Sequence, residues 1–178
     1  YSRSKNLDYA YYLLGVSYYE QIVDEKKDLQ SILDAKKYFE IIINQYPQTN
    51  YALDSEFKVD LINDTLAAKE MYIGRYYFDK KKWIPAINRF RVVIDEYDTT
   101  IYTEEALYRL VEVYYTLGLI EEAKKYAQIL GYNYQSSQWY KKSYSVFNKQ
   151  YEDEMKKKIR QKNKKNNIVL KKFKSLFE

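Results

Sequence analysis

The side chains best suited to recognition in this chain are Asn88, Arg89 and Arg91, which interleave with the apolar positions Ala86, Phe90 and Val93. At helical spacing the three polar residues fall away from the apolar stripe and face outward. A planar guanidinium in such a place is either a solvated helix-face arginine or a group that grips a partner carboxylate through two parallel hydrogen bonds, which is recognition chemistry rather than bond-making. Reactive groups are scarce elsewhere. His and Cys are absent, which removes imidazole acid–base work, thiol nucleophiles, disulfides and the usual zinc and haem ligand sets. Four glycines, at 15, 74, 118 and 131, are too dispersed to cradle a phosphate. The carboxylate pairs Asp60/Asp64 and Glu121/Glu122 suit solvated helix faces. No catalytic, cofactor or metal site is expected, and the chain reads as a non-enzyme.

The elements that must carry this surface are helices. Gly 4 and Pro 2 in 178 residues are too few for the turns of a sheet protein, and an apolar fraction of 46% is ample for a core. One helix-pair pattern recurs three times. Leu14-Gly15-Val16-Ser17-Tyr18 is followed by Ala35, Phe39 and Ile42. Ile73-Gly74-Arg75-Tyr76-Tyr77 is followed by Ala86, Phe90 and Val93, and Leu110-Val111-Glu112-Val113-Tyr114 by Ala123, Ala127 and Leu130. A hydrophobic-small pair, an aromatic three residues on, then Ala-x3-aromatic-x2-aliphatic is the tetratricopeptide (TPR) arrangement. The expected fold is therefore all-α, a TPR-type helical-hairpin solenoid with a C-terminal capping helix and a basic tail. Residues 1–150 would form the repeat array and 151–178 the tail.

Along the chain, a first helix over 8–23 places Leu7, Tyr11, Leu14 and Tyr18 on one buried stripe, with Gly15 on the packing side. A charged loop, Asp24 to Gln30, lengthens the Gly15–Ala35 step to 20 residues against 12 for Gly74–Ala86, an insertion of 8. The next helix starts near Ser31 or Leu33 and stops at Tyr46 before Pro47. Residues 51–80 read as one long helix or two nearly collinear ones, with Phe57, Leu61, Leu66, Ile73 and Tyr77 as its apolar stripe. Trp83 to Glu96 follows, with Pro85 in its first turn. Thr103-Glu104-Glu105-Ala106 looks like a capped helix start, Gly118 ends that helix, and Glu121 to Leu130 runs to a stop at Gly131. A last helix begins at Ser136-Ser137-Gln138-Trp139-Tyr140, with Trp139, Tyr140, Tyr144 and Phe147 available to cover the open end of the array.

Charge is uneven. Residues 141–178 hold 13 Lys/Arg against 4 Asp/Glu, whereas residues 1–140 hold 17 against 21, so the tail alone makes the chain basic at +5. With a weak apolar face from Ile168, Leu170, Phe173, Leu176 and Phe177, the tail admits three readings. It is a solvated extension, a partner-binding helix, or a surface for anionic lipid or nucleic acid. The net acidic remainder argues against nucleic acid. The 23 tyrosines suit a binding surface but equally fit an A/T-rich coding bias.

The wording of the repeats resembles the BamD family, the TPR lipoproteins of the bacterial outer-membrane β-barrel assembly machine, in its alphaproteobacterial forms. The resemblance rests on Asp8–Gly15, Tyr46–Ala52, Asn63–Met71, Trp83–Phe90, Glu105–Leu110 and Ser137–Tyr140, together with the 8-residue insertion and the long 51–80 helix. It covers roughly residues 6–145; the Lys-rich tail matches no family motif. The lipid-bearing Cys and one or two preceding repeats are not in the chain, so the resemblance is to the C-terminal part of such a protein. It implies docking on the periplasmic POTRA domains of the barrel subunit BamA through the C-terminal repeats; no small-molecule substrate or cofactor is expected. Further implied partners are other assembly-complex lipoproteins and unfolded outer-membrane proteins. The membrane would be met only through an N-terminal lipid, and the location would be the periplasmic face of the outer membrane. Arg89 matches a family position associated with the BamA contact, and Trp83, Asn88 and Arg91 complete the expected partner-binding set.

Two alternatives stay open. One is a TPR adaptor holding a peptide tail, although a carboxylate clamp needs inward Lys, Arg or Asn where positions 11, 12, 18 and 19 are Tyr. The other is polyanion or membrane-surface binding through the basic tail.

Overall fold

The computed structural model describes residues 6–21 and 29–148, and these are helices and turns throughout: α1 (Leu7–Glu20), α2 (Leu29–Gln45), α3 (Asn50–Asp79), α4 (Trp83–Glu96), α5 (Thr103–Thr116), α6 (Ile120–Asn133) and α7 (Gln138–Phe147). The expected loop from Asp24 and the 151–178 tail lie outside the described residues, save that Leu29 and Gln30 already belong to α2. The chain forms two compact units, residues 1–106 and 107–178.

In the first unit α1 packs on α2, α2 on α3, and α3 on α4. The repeat pattern explains how. Phe39 and Phe90 are wholly buried, each laid against a glycine on the preceding helix of its hairpin. A methyl group at Gly15 would lie 2.7 Å from Phe39 Cε1, and one at Gly74 2.5 Å from Phe90 Cε1, so only glycine admits the ring at this approach. Gly74 and Phe90 are 16 residues apart, as are Val111 and Ala127. The third copy thus exchanges the sizes, with a buried Val111 in the glycine position and alanine in the ring position.

The same turns recur. Each second helix ends with an amide donated back four residues: Tyr46 to the Ile42 carbonyl (2.8 Å), Tyr97 to Val93 (3.1 Å), Tyr134 to Leu130 (2.9 Å). Three residues further on, the amides of Thr49, Thr100 and Ser137 donate to the carbonyls of those tyrosines at 3.0–3.1 Å. Thr49 then caps α3 by accepting from the Ala52 amide at 3.2 Å, and Ser137 caps α7 by accepting from Trp139 at 3.0 Å, each satisfying an amide that the first turn leaves unpaired. Within the hairpins, Lys82 and Leu119 donate their amides to Tyr77 and Tyr114 (both 2.9 Å). The residue before each donor is left-handed: Lys81 at φ 56° and Gly118 at φ 76°.

Several expectations are corrected. Leu14 is 43% exposed and Phe57 and Leu61 are 64% and 55% exposed. On α1, Tyr11 and Tyr18 of the expected stripe do pack against the core, but Leu14 does not; the buried Gly15 and the rings of Tyr12 and Tyr19, which meet Phe39, complete that face. The core face of α3 is Ala52, Ser55, Ile62, Leu66, Ala67, Met71 and Gly74. A 30-residue helix with neighbours on two sides buries different faces along its length, so a single stripe misassigns it. Gly131 lies inside α6 rather than ending it; its small size admits Tyr140 of α7, whose Cε2 would lie 3.0 Å from an added methyl group. Thr103 does begin α5, but its hydroxyl donates backward, to the carbonyls of Tyr97 (3.2 Å) and Asp98 (2.9 Å).

The second unit buries Leu107, Leu110, Val111, Val113, Ala123 and Leu130. Tyr114 stacks on Tyr126 at 5.5 Å and 4°, and the Lys142 ammonium sits 3.9 Å from the centre of the Trp139 ring, close enough for a cation–π attraction.

Candidate functional site

The expected partner-binding residues all lie on α4, the second helix of the middle hairpin. Phe90, Ala86 and Val93 anchor that helix inward at 0% exposure, which turns the intervening residues out. Asn88 and Arg91 are exposed, Arg91 reaching Asp95 one turn on at 3.8 Å; such a surface pair is worth little. Trp83 is half-buried and meets Phe78 edge-on at 5.6 Å, so much of its ring braces the hairpin turn.

Arg89 is placed differently from the simple outward arginine expected. Its Nη1 donates to both oxygens of Glu70 on α3, at 3.3 and 3.0 Å, while 43% of its side chain stays exposed against 17% for Glu70. Only one nitrogen of the fork is used by the described residues. Arg75, one turn along α3, is the opposite case. Its Nε and Nη2 grip the two oxygens of Glu105 at 2.9 and 2.6 Å, and that bidentate pairing raises the guanidinium pKa further. Arg75 therefore staples α3 to the first turn of α5, whereas Arg89 is held at one corner and keeps donors to spare.

Beside Arg89 runs an open groove of about 240 Å³ lined by Tyr77, Ile84, Pro85, Asn88, Arg89 and Val92. Ile84 is 71% exposed, a large apolar side chain with no covering element among the described residues. Lys80, Lys81 and Lys82, at the turn entering α4, are exposed as well. The surface thus combines an apolar floor with cationic edges, which suits a segment carrying an apolar side chain and a carboxylate. Glu70 is tucked toward the core, near Tyr97, whose phenol is pushed up chiefly by burial and further by Glu96 and Glu70. Sequence reasoning missed Glu70 as Arg89's partner: the two are 19 residues apart on different helices, and only the packing of α3 on α4 joins them.

Tyr11, Tyr12, Tyr18 and Tyr19 pack against the α2 and α3 core, and Tyr12 donates its hydroxyl to Asp54 at 2.6 Å. Their rings pack α1 against its neighbours in the first unit. Among the described residues no cluster of three acidic groups is placed to hold a metal, and no helix is long and apolar enough to cross a membrane.

Repeated helical hairpins held by interlocking small and aromatic residues, with an outward polar helix face, define a helical-repeat protein of the TPR type. The outer-membrane lipoprotein family YfiO matches residues 1–130. The chain is 53% identical over 143 residues to the outer membrane protein assembly factor BamD of Rickettsia prowazekii, covering 79% of this chain and 57% of that protein. It is 43% identical over 148 residues to BamD of Caulobacter vibrioides, covering 83% and 48%, and 29% identical over 142 residues to a Neisseria meningitidis BamD. The chain belongs to this YfiO/BamD family of outer-membrane lipoproteins, and it spans about half the length of the curated relatives it matches.

Proposed function

We infer that this chain is a non-catalytic scaffold in outer-membrane protein assembly, acting at the periplasmic face of the outer membrane, lipid-anchored in the full-length protein. It docks on a POTRA domain of the barrel subunit BamA through the α4 face. The observation that carries this reading is the Arg89 guanidinium, held at one corner only among the described residues, beside the open Ile84–Val92 groove, in a chain of the BamD family. An exposed helix face with one well-placed arginine and an apolar floor is how a small interface obtains both orientation and affinity. Trp83 fixes the start of α4, while Asn88 and Arg91 supply the polar rim. Other assembly lipoproteins and unfolded outer-membrane proteins are further partners of the whole protein.

The test is binding of this chain to purified BamA POTRA domains by calorimetry. The wild type should bind, and Arg89→Glu should weaken binding by about tenfold or more, because the reversed charge leaves the partner's carboxylate facing another. Equal binding by both proteins, or none by either, rejects docking through this face.

A further inference from the structure

The Glu70–Arg89 pair has a geometry that a purely structural ion pair would not need. Both Glu70 oxygens converge on the single Nη1 of Arg89, whereas the Arg75–Glu105 pair spends the Nε–Nη2 edge and closes its fork. Glu70 is the more sheltered partner, 17% exposed against 43%, so the carboxylate is the fixed member and the arginine the presented one. Nε and Nη2 of Arg89, with no hydrogen-bond partner among the described residues, form the edge that matches a second carboxylate.

We propose that Glu70 is a positioning residue for recognition. It holds the Arg89 guanidinium by one corner so that the Nε–Nη2 edge is ready for a carboxylate of a segment whose apolar side chain lies over Ile84, Pro85 and Val92. This rests on the docking reading above and adds to it the residue that sets the arginine and the kind of segment received. The physical gain is preorganisation. An arginine carries much rotamer freedom, and immobilising such a side chain on binding costs about 0.5–1.5 kcal/mol when it is not held beforehand. Glu70 also places a negative charge near the incoming carboxylate, and Coulomb repulsion alone would make its removal favourable. The two effects have opposite signs, which makes the proposal decidable.

The experiment is a double-mutant cycle on binding to the BamA POTRA protein, with wild type, Glu70→Ala, Arg89→Ala and the double variant. Positioning predicts that Glu70→Ala binds about 3- to 10-fold more weakly than wild type, yet changes affinity less than about twofold in the Arg89→Ala background. Glu70→Gln, which keeps an acceptor for Nη1, should recover part of the loss. Tighter binding by Glu70→Ala, or the same loss in both backgrounds, overturns the proposal. Arginine side-chain nitrogen NMR supplies a partner-independent arm: the Arg89 guanidinium should rotate slowly in the wild type and faster in Glu70→Ala, and fast rotation in both overturns the positioning role. A wild type that does not bind the POTRA protein sinks the docking reading itself, a result distinct from any of these.

Discussion

Phe90 lies so close over Gly74 that a methyl group there would come within 2.5 Å of Cε1 of its ring. The ring is fully buried and cannot swing aside without opening the core. Gly74→Ala should therefore destabilise the first unit by about 1–2 kcal/mol, overpacking outweighing the helix propensity that alanine adds. The third copy suggests the cure. Gly74→Val with Phe90→Ala reproduces the Val111/Ala127 arrangement, and the double variant should lose less than the summed single losses by about 1 kcal/mol or more. Urea melts of the four proteins measure this coupling.

Lys81 occupies the left-handed position that glycine fills at the equivalent turn of the next hairpin. A side chain there costs about 1–2 kcal/mol in backbone strain, partly offset because glycine is freer in the unfolded chain. Lys81→Gly should raise stability by about 0.5–1 kcal/mol, and Gly118→Ala should lower it by about 1 kcal/mol. Thermal denaturation of the two variants should move in opposite directions.

Tyr12 gives a pH signature. Its hydrogen bond to the Asp54 carboxylate pushes the phenol up to about 12 from an ordinary 10.0, because ionising the hydroxyl would forfeit the bond and set two negative charges together. The folded pKa is raised, so the stabilisation is complete below pH 10 and lost as pH rises toward 12. With the ring only partly buried, the bond is worth about 1 kcal/mol. Tyr12→Phe should cost that much at pH 8, and its deficit relative to wild type should shrink across pH 10–12 in chemical denaturation.

The Arg75–Glu105 fork should resist conservative exchange. Lysine preserves the charge but not the two-pronged geometry, so Arg75→Lys should lower stability by about 1 kcal/mol. An unchanged melting temperature would mean that the fork contributes only a surface ion pair.

Leu66 and Phe57 separate the two faces of α3. Leu66 is 4% exposed and Phe57 64%. Leu66→Ala should cost about 2–4 kcal/mol and Phe57→Ser under about 0.5 kcal/mol, an ordering that hydropathy alone does not give. Guanidinium melts of both variants check it.

Much of the fold was legible because it is local. The three copies, Pro47, the serines before Trp139 and the scarcity of glycine located most helices to within a few residues, since caps, breakers and the 3.6-residue period act over one or two turns. Among the helix limits, α2 begins at Leu29 rather than near Ser31 or Leu33, and Gly131, which has a glycine's usual reading as a stop, lies inside α6 with Tyr140 packed close against it. Within the site, the outward placement of Asn88, Arg89 and Arg91 followed from the burial of Ala86, Phe90 and Val93 on the same helix.

By itself, then, the sequence determined the helical-repeat class, the family and the polar face of α4, because periodicity and motif spacing are written within single elements. Only the tertiary structure decided which face of α3 is core, which arginine is closed by its carboxylate and which is left half-open. Those outcomes depend on helices meeting across 19 to 42 residues of chain, where the contact geometry of two packed surfaces, not the order of residues along either, assigns each side chain its partner.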